Sequence, residues 1–157
     1  MATELAYGHG GFIPTPSRFS DNSNFVWAAQ FEQNYVFPAQ QLYADATPVS
    51  ILYYDSNNNN EVSASDYIRR YPNTYCTQTH SDYMSQVQVT YNNGVVVCVN
   101  RHPTNSWQVQ VGQPGGWFDY NAMIGTNMVQ WAGITNCTSY TLPPNCGWVV
   151  FAPATVP

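Results

Sequence analysis

Six oxygen-bearing residues stand at regular intervals between Asp55 and Asp66. Counted from Asp55, Asn57 and Asn59 occupy positions 3 and 5, Glu61 position 7, Ser63 position 9 and Asp66 position 12, with the apolar Val62 at position 8. A hard divalent cation such as calcium needs many oxygen ligands. A twelve-residue loop supplies them at these positions, with carboxylates at the ends, amide oxygens early, a backbone carbonyl at the seventh and a hydroxyl or water at the ninth. Asp55, Asn57, Asn59, Glu61, Ser63 and Asp66 therefore form a candidate calcium set. Asn60 takes the place where glycine is usual, and asparagine is the residue type next best suited to a left-handed turn. The run also reads as a plain polar loop tip, because Asp and Asn bond their own backbone in turns.

The flanks say how such a loop would be held. Pro48–Tyr54 reads as an apolar strand entering it, and Asp66–Tyr71 as a short helix leaving it, stopped by Pro72. Strand, loop and helix together resemble an EF-hand-type loop of the dockerin kind, which also closes on Asp and continues into a basic helix. Dockerins repeat the unit, and this sequence holds one copy, so the resemblance implies calcium ligation and not cohesin binding. Its implied affinity is weak, on the order of 10⁻⁴ to 10⁻³ M.

Composition narrows the class of partner. The 157 residues include 44% hydrophobic and 15% aromatic side chains but only 8% charged ones. Lysine is absent; the bases are Arg18, Arg69, Arg70 and Arg101, against nine acids, for a formal charge of -5. Without a basic patch to grip phosphates, nucleic acid and anionic membranes are disfavoured. No apolar run is long enough for a membrane span, and the start lacks a leader's basic and apolar regions. Asn, Gln, Ser, Thr and Tyr must carry solubility, a surface suited to glycans and to self-association.

The cysteines are Cys76, Cys98, Cys137 and Cys146. Spacing favours the pairs Cys137 with Cys146 and Cys76 with Cys98, and two disulfides would indicate an extracellular or cell-surface setting, or a virion or coat. Cys76 with His80 and Cys98 with His102 also form two Cys-x3-His pairs, a possible zinc set. A strand through Val95–Val99 argues against it, since four strand residues span about 13 Å.

The expected fold is mainly β: a single-domain antiparallel sandwich or barrel with one or two short helices, spanning residues 25–157, behind an extended N-terminal arm over 1–24. Phe25–Phe37 has no clean period, and its aromatic content tilts it toward strand. Tyr83–Tyr91 alternates, Asn92-Asn93-Gly94 is a turn and Val95–Val99 returns, which makes a hairpin. Ser106–Gly112 alternates in turn, giving a three-strand meander, before Gly112–Gly116 breaks the sheet. Gly147–Ala152 is the last strand.

No nucleophile with its base, paired carboxylates or phosphate-cradling loop is evident. The expectation is a calcium-stabilised, non-enzymatic surface domain for adhesion or glycan binding, with Trp117, Phe118 and Tyr120 as residues to stack on sugars. The alternative is a self-assembling filament, sheath or capsid subunit whose arm contacts a neighbour. A secreted hydrolase is a lesser one.

Overall fold

The structure, a computed structural model, describes residues 6–7, 22–72, 83–119, 134–145 and 147–153. Helix α1 (Asn22–Phe31) passes through a π-wound segment (Glu32–Val36) into α2 (Phe37–Gln41). There follow β1 (Pro48–Asp55), β2 (Asn60–Val62), α3 (Ala64–Arg70), β3 (Gln86–Tyr91), β4 (Val96–Asn100), β5 (Trp107–Asp119), β6 (Ile134–Leu142) and β7 (Gly147–Pro153). The protein is mainly β, its strands antiparallel, and the elements of the described residues include these three short helices.

Phe25–Phe37 is thus helical, where strand was expected. The buried residues decide it: Val36, Ala39 and Tyr43 fall three and four residues apart, one stripe of a helix. Pro38, in the first turn of α2, has no N–H for the Asn34 carbonyl, and the helical ladder is π-wound just ahead of it. Of the expected extended arm, only residues 6–7 and 22–24 are described, and the last three belong to α1. Ala6 is buried, and the Tyr91 hydroxyl donates to its carbonyl at 2.9 Å.

The strand order is β2-β1-β3-β4-β7-β5-β6. β3 and β4 form the expected hairpin, with Gly94 at φ 83° in its turn. The meander does not continue, because β7 lies between β4 and β5. Val96–Asn100 and Trp148–Ala152 are buried on both faces, so only a central position covers them. On one face Val87, Val89, Val97, Val99, Trp148 and Val150 pack against Val36, Ala39 and Tyr43 from the helical segment.

The other face is covered by β5 folding back. Its second half, Gly115–Asp119, pairs with Pro153–Val149 of β7. Were β5 straight, Trp107 would project about 26 Å further along. Instead Trp107 and Val109 share a core with Val96, Cys98, Leu142, Val149 and Phe151. The bend falls at a register shift between Gln110 and Gly115, so the glycine-rich stretch expected to break the sheet instead turns a continuous strand from one layer into the other. Gly115 is required there: a β-carbon would lie 2.5 Å from the Phe151 ring. The result is a sandwich and not a barrel, since β2 and β6 remain edges among the described residues.

Candidate functional site at the β1–β2 hairpin

The loop singled out in the sequence is the turn of a hairpin in which Asp55 pairs with Asn60 and Tyr54 with Glu61. Asn59 carries the left-handed conformation, at φ 53°. Strand alternation sends neighbours to opposite faces: Tyr53 packs toward the helix-covered core, Tyr54 toward the second core, where its ring lies 5.7 Å from that of Trp107.

Asp55, on the Tyr53 side, is fully buried. Its Oδ1 accepts from the Tyr71 hydroxyl at 2.8 Å and the Asn57 backbone N–H at 3.1 Å; its Oδ2 accepts from Arg70 Nη1 at 2.9 Å and Asn58 Nδ2 at 2.8 Å. Burial alone would push this carboxyl pKa up. The bonds from Asn58, Tyr71, Arg70 and the Asn57 N–H prevail and hold it at about 2. The helix that delivers Arg70 begins at Ser63, whose Oγ accepts from the Asp66 N–H at 3.1 Å. Asp66 in its first turn and Arg69 and Arg70 in its last suit the helix dipole.

The six candidate calcium ligands do not share a centre. Asp55 and Asn57 face Tyr71, Asn59 Oδ1 accepts from Tyr54 on the opposite face, and Ser63 caps α3, with its hydroxyl donating to Asp66 at 2.9 Å. Asp66 also pairs with Arg69. The donor set does not fit a calcium ion as arranged: both Asp55 oxygens are taken, and the cation beside them is the Arg70 guanidinium. No group of three or more His, Cys, Asp or Glu able to hold a metal occurs among the described residues.

On the Tyr54 side the hairpin meets β5 in an open cleft of about 420 Å³ lined by Tyr54, Asn59, Asn60, Glu61, Gln108 and Gln110. Alternation places Gln108 and Gln110 there, because Trp107 and Val109 turn into the core. Asn60 ties the cleft wall to the buried cluster, its Oδ1 accepting from Arg70 at 3.2 Å. Gln110 also borders a second hollow of about 490 Å³, with Gln88, Thr90 and Gln113. The Glu61 carboxyl is half-buried, and desolvation pushes its pKa up.

The remaining nominated residues lie elsewhere. Trp117 and Phe118 run in β5, beside β7; their side chains, and the whole of Tyr120, lie outside the described residues. Cys98 is a free, fully buried thiol in the second core, with its Sγ 3.6 Å from Gln88 Oε1, and the Cys76 expected to bridge to it lies outside the described residues. Its central strand directs it between the layers, and burial, then the Glu61 charge, push the thiol pKa well up. Cys76, His80 and Cys146 lie outside the described residues, as does the Cys137 side chain, so the Cys137–Cys146 pair does too. His102 Nδ1 accepts from the Thr104 and Asn105 N–H groups, at 3.2 and 2.9 Å, which uses the nitrogen a zinc ion would need on that side.

Sequence reasoning missed Tyr54, Gln108 and Gln110 as a group, though the alternation of β5 marked both glutamines as outward. It also missed Arg70 and Tyr71 as the partners of Asp55. Comparison with protein-family models, with curated proteins and with solved structures yields no match to the chain.

Proposed function

We propose that this is a glycan-binding module of an extracellular or surface setting, and that the cleft between the hairpin and β5 holds a sugar unit. The observation that carries the reading is the lining: amides from Asn59, Asn60, Gln108 and Gln110, a phenol and a carboxylate in one concavity. Amides both donate and accept, as a ring of hydroxyl groups requires, and the volume lies within the range of small-molecule sites. A surface without lysine, with 8% charged residues, supports recognition through hydrogen bonds over recognition through ion pairs. The reading needs no calcium, since Arg70 already holds the hairpin to α3.

Titration calorimetry against neutral and charged oligosaccharides tests it. Replacing both Gln108 and Gln110 with Ala is expected to weaken binding about tenfold or more while leaving the melting temperature in place, since both side chains are exposed. Unchanged affinity would remove the cleft as the site. Failure of every oligosaccharide to bind would remove the reading.

Self-assembly is the second reading, favoured by the edge of β1. β2 covers only Tyr53–Asp55, so among the described residues Pro48–Leu52 has no strand on that side, and Val49 and Ile51 are exposed. A neighbouring copy adding a strand would satisfy that edge. Light scattering at rising concentration checks this: assembly of the wild type that Ile51→Lys abolishes supports it, and a concentration-independent monomer excludes it.

A further inference from the structure

Among the described residues that line the hairpin cleft, Glu61 is the only charged one, and its carboxylate is half-buried. Among the described residues, no hydrogen bond or ion pair engages it. Arg70, at the end of the following helix, is committed to Asp55 and Asn60 across the hairpin. Burial of an anion without a counter-ion is unfavourable, which is why its carboxyl pKa is raised, and the same charge reaches the buried Cys98 thiol. The other described residues of the lining are neutral amides and the Tyr54 ring.

We infer that the cleft selects an amino sugar, a hexosamine unit with a free amine, whose ammonium group pairs with Glu61 while the surrounding amides bond its hydroxyls. The inference rests on the glycan reading and names its ligand class. An ammonium group supplies the counter-charge the protein withholds, in a charge-assisted hydrogen bond of the stronger kind. Acetylating the amine removes that charge, and an acidic sugar meets like-charge repulsion from Glu61. The formal charge of -5 further favours the approach of a cationic polymer.

The test uses the intact protein and three oligosaccharides of equal length and linkage, in mildly acidic buffer: an oligomer of glucosamine, its fully N-acetylated form, and the corresponding glucose oligomer. The glucosamine oligomer is expected to bind about tenfold or more tighter than the other two. Glu61→Gln, checked for folding by its melting temperature, is expected to abolish that preference while retaining weak binding to all three. Asp45→Asn removes the same charge from an exposed position away from the cleft and is expected to keep the preference. Equal affinity for all three oligomers, unchanged in Glu61→Gln, overturns the amino-sugar assignment but leaves the glycan reading standing. Loss of preference in Asp45→Asn as well overturns it in favour of diffuse charge attraction. If none of the three binds, nor any other oligosaccharide, the glycan reading itself falls.

Discussion

Arg70 Nη1 lies 2.9 Å from Asp55 Oδ2, the exposed end of a helix closing on the buried end of a strand. This pair, with Tyr71 donating to the other carboxylate oxygen, supplies inside the protein the positive charge that the loop's spacing led us to seek from a metal.

Removing that guanidinium leaves a buried anion with fewer donors. Arg70→Ala is expected to cost about 1.5–3 kcal/mol in urea denaturation, short of the value for a wholly buried pair because Arg70 is itself partly exposed. Millimolar calcium is expected to leave the wild-type melting temperature unmoved. A calcium-dependent rise would mean that Asp55 exchanges Arg70 for the ion.

The same carboxylate sets an acid limit. Its folded pKa of about 2 lies below the ordinary 3.8, so the folded state holds the charged form more readily than the unfolded chain does. Its contribution is complete above the ordinary value and fades as pH falls toward 2. The stability gap between wild type and Asp55→Asn is therefore expected to narrow across that window, measured by urea midpoints at successive pH values.

Asn100 is buried and fully engaged. Its Oδ1 accepts from Gln86 Nε2 at 3.1 Å and the His102 N–H at 3.0 Å, and its Nδ2 donates to the Asn105 carbonyl at 2.9 Å and the Leu142 carbonyl at 3.2 Å. One amide thus joins the end of β4 to β3, to the following turn and to β6. Asn100→Ala strands these partners and is expected to cost about 2–4 kcal/mol by denaturant titration.

Gly115 stands where β5 changes layers. Gly115→Ala would force its β-carbon into the Ala152 carbonyl and the Phe151 ring. A loss of roughly 2–3 kcal/mol is expected. Gly112, with open space around it, is the control: Gly112→Ala is expected to change little.

Cys98 is expected to resist alkylation in the native protein and to label completely once unfolded, because burial both shields the thiol and disfavours its thiolate. Peptide mapping after labelling reads this out. A peptide joining Cys76 to Cys98 would overturn the assignment of a free thiol.

Local patterns foretold local structure. The alternation of Val87, Val89 and Tyr91, the Asn-Asn-Gly turn and the Val95–Val99 run gave the β3–β4 hairpin, and Pro48–Tyr54 and Asp66–Tyr71 gave β1 and α3. What escaped was set by distance along the chain. Nothing in Gly147–Pro153 says that it inserts between β4 and β5, and nothing near Asp55 says that its counter-charge arrives fifteen residues later, after a helix. Phe25–Phe37 was ambiguous for another reason: its helix face is completed by Ala39 and Tyr43, beyond Pro38. The oxygen spacing of residues 55–66 fitted two geometries, and the cross-strand pairing of Asp55 with Asn60, invisible locally, selected the hairpin.

Of the described strands, the last in order of synthesis, β7, occupies an interior place in the sheet. Until β7 leaves the ribosome, β4 and β5 have no hydrogen-bonding partner on their shared sides, and the valines of β4 stand open to other nascent chains. Productive folding must wait for that late arrival, so a pause or premature stop between Leu142 and Gly147 would release not a smaller version of the protein but an aggregation-prone intermediate dependent on chaperones.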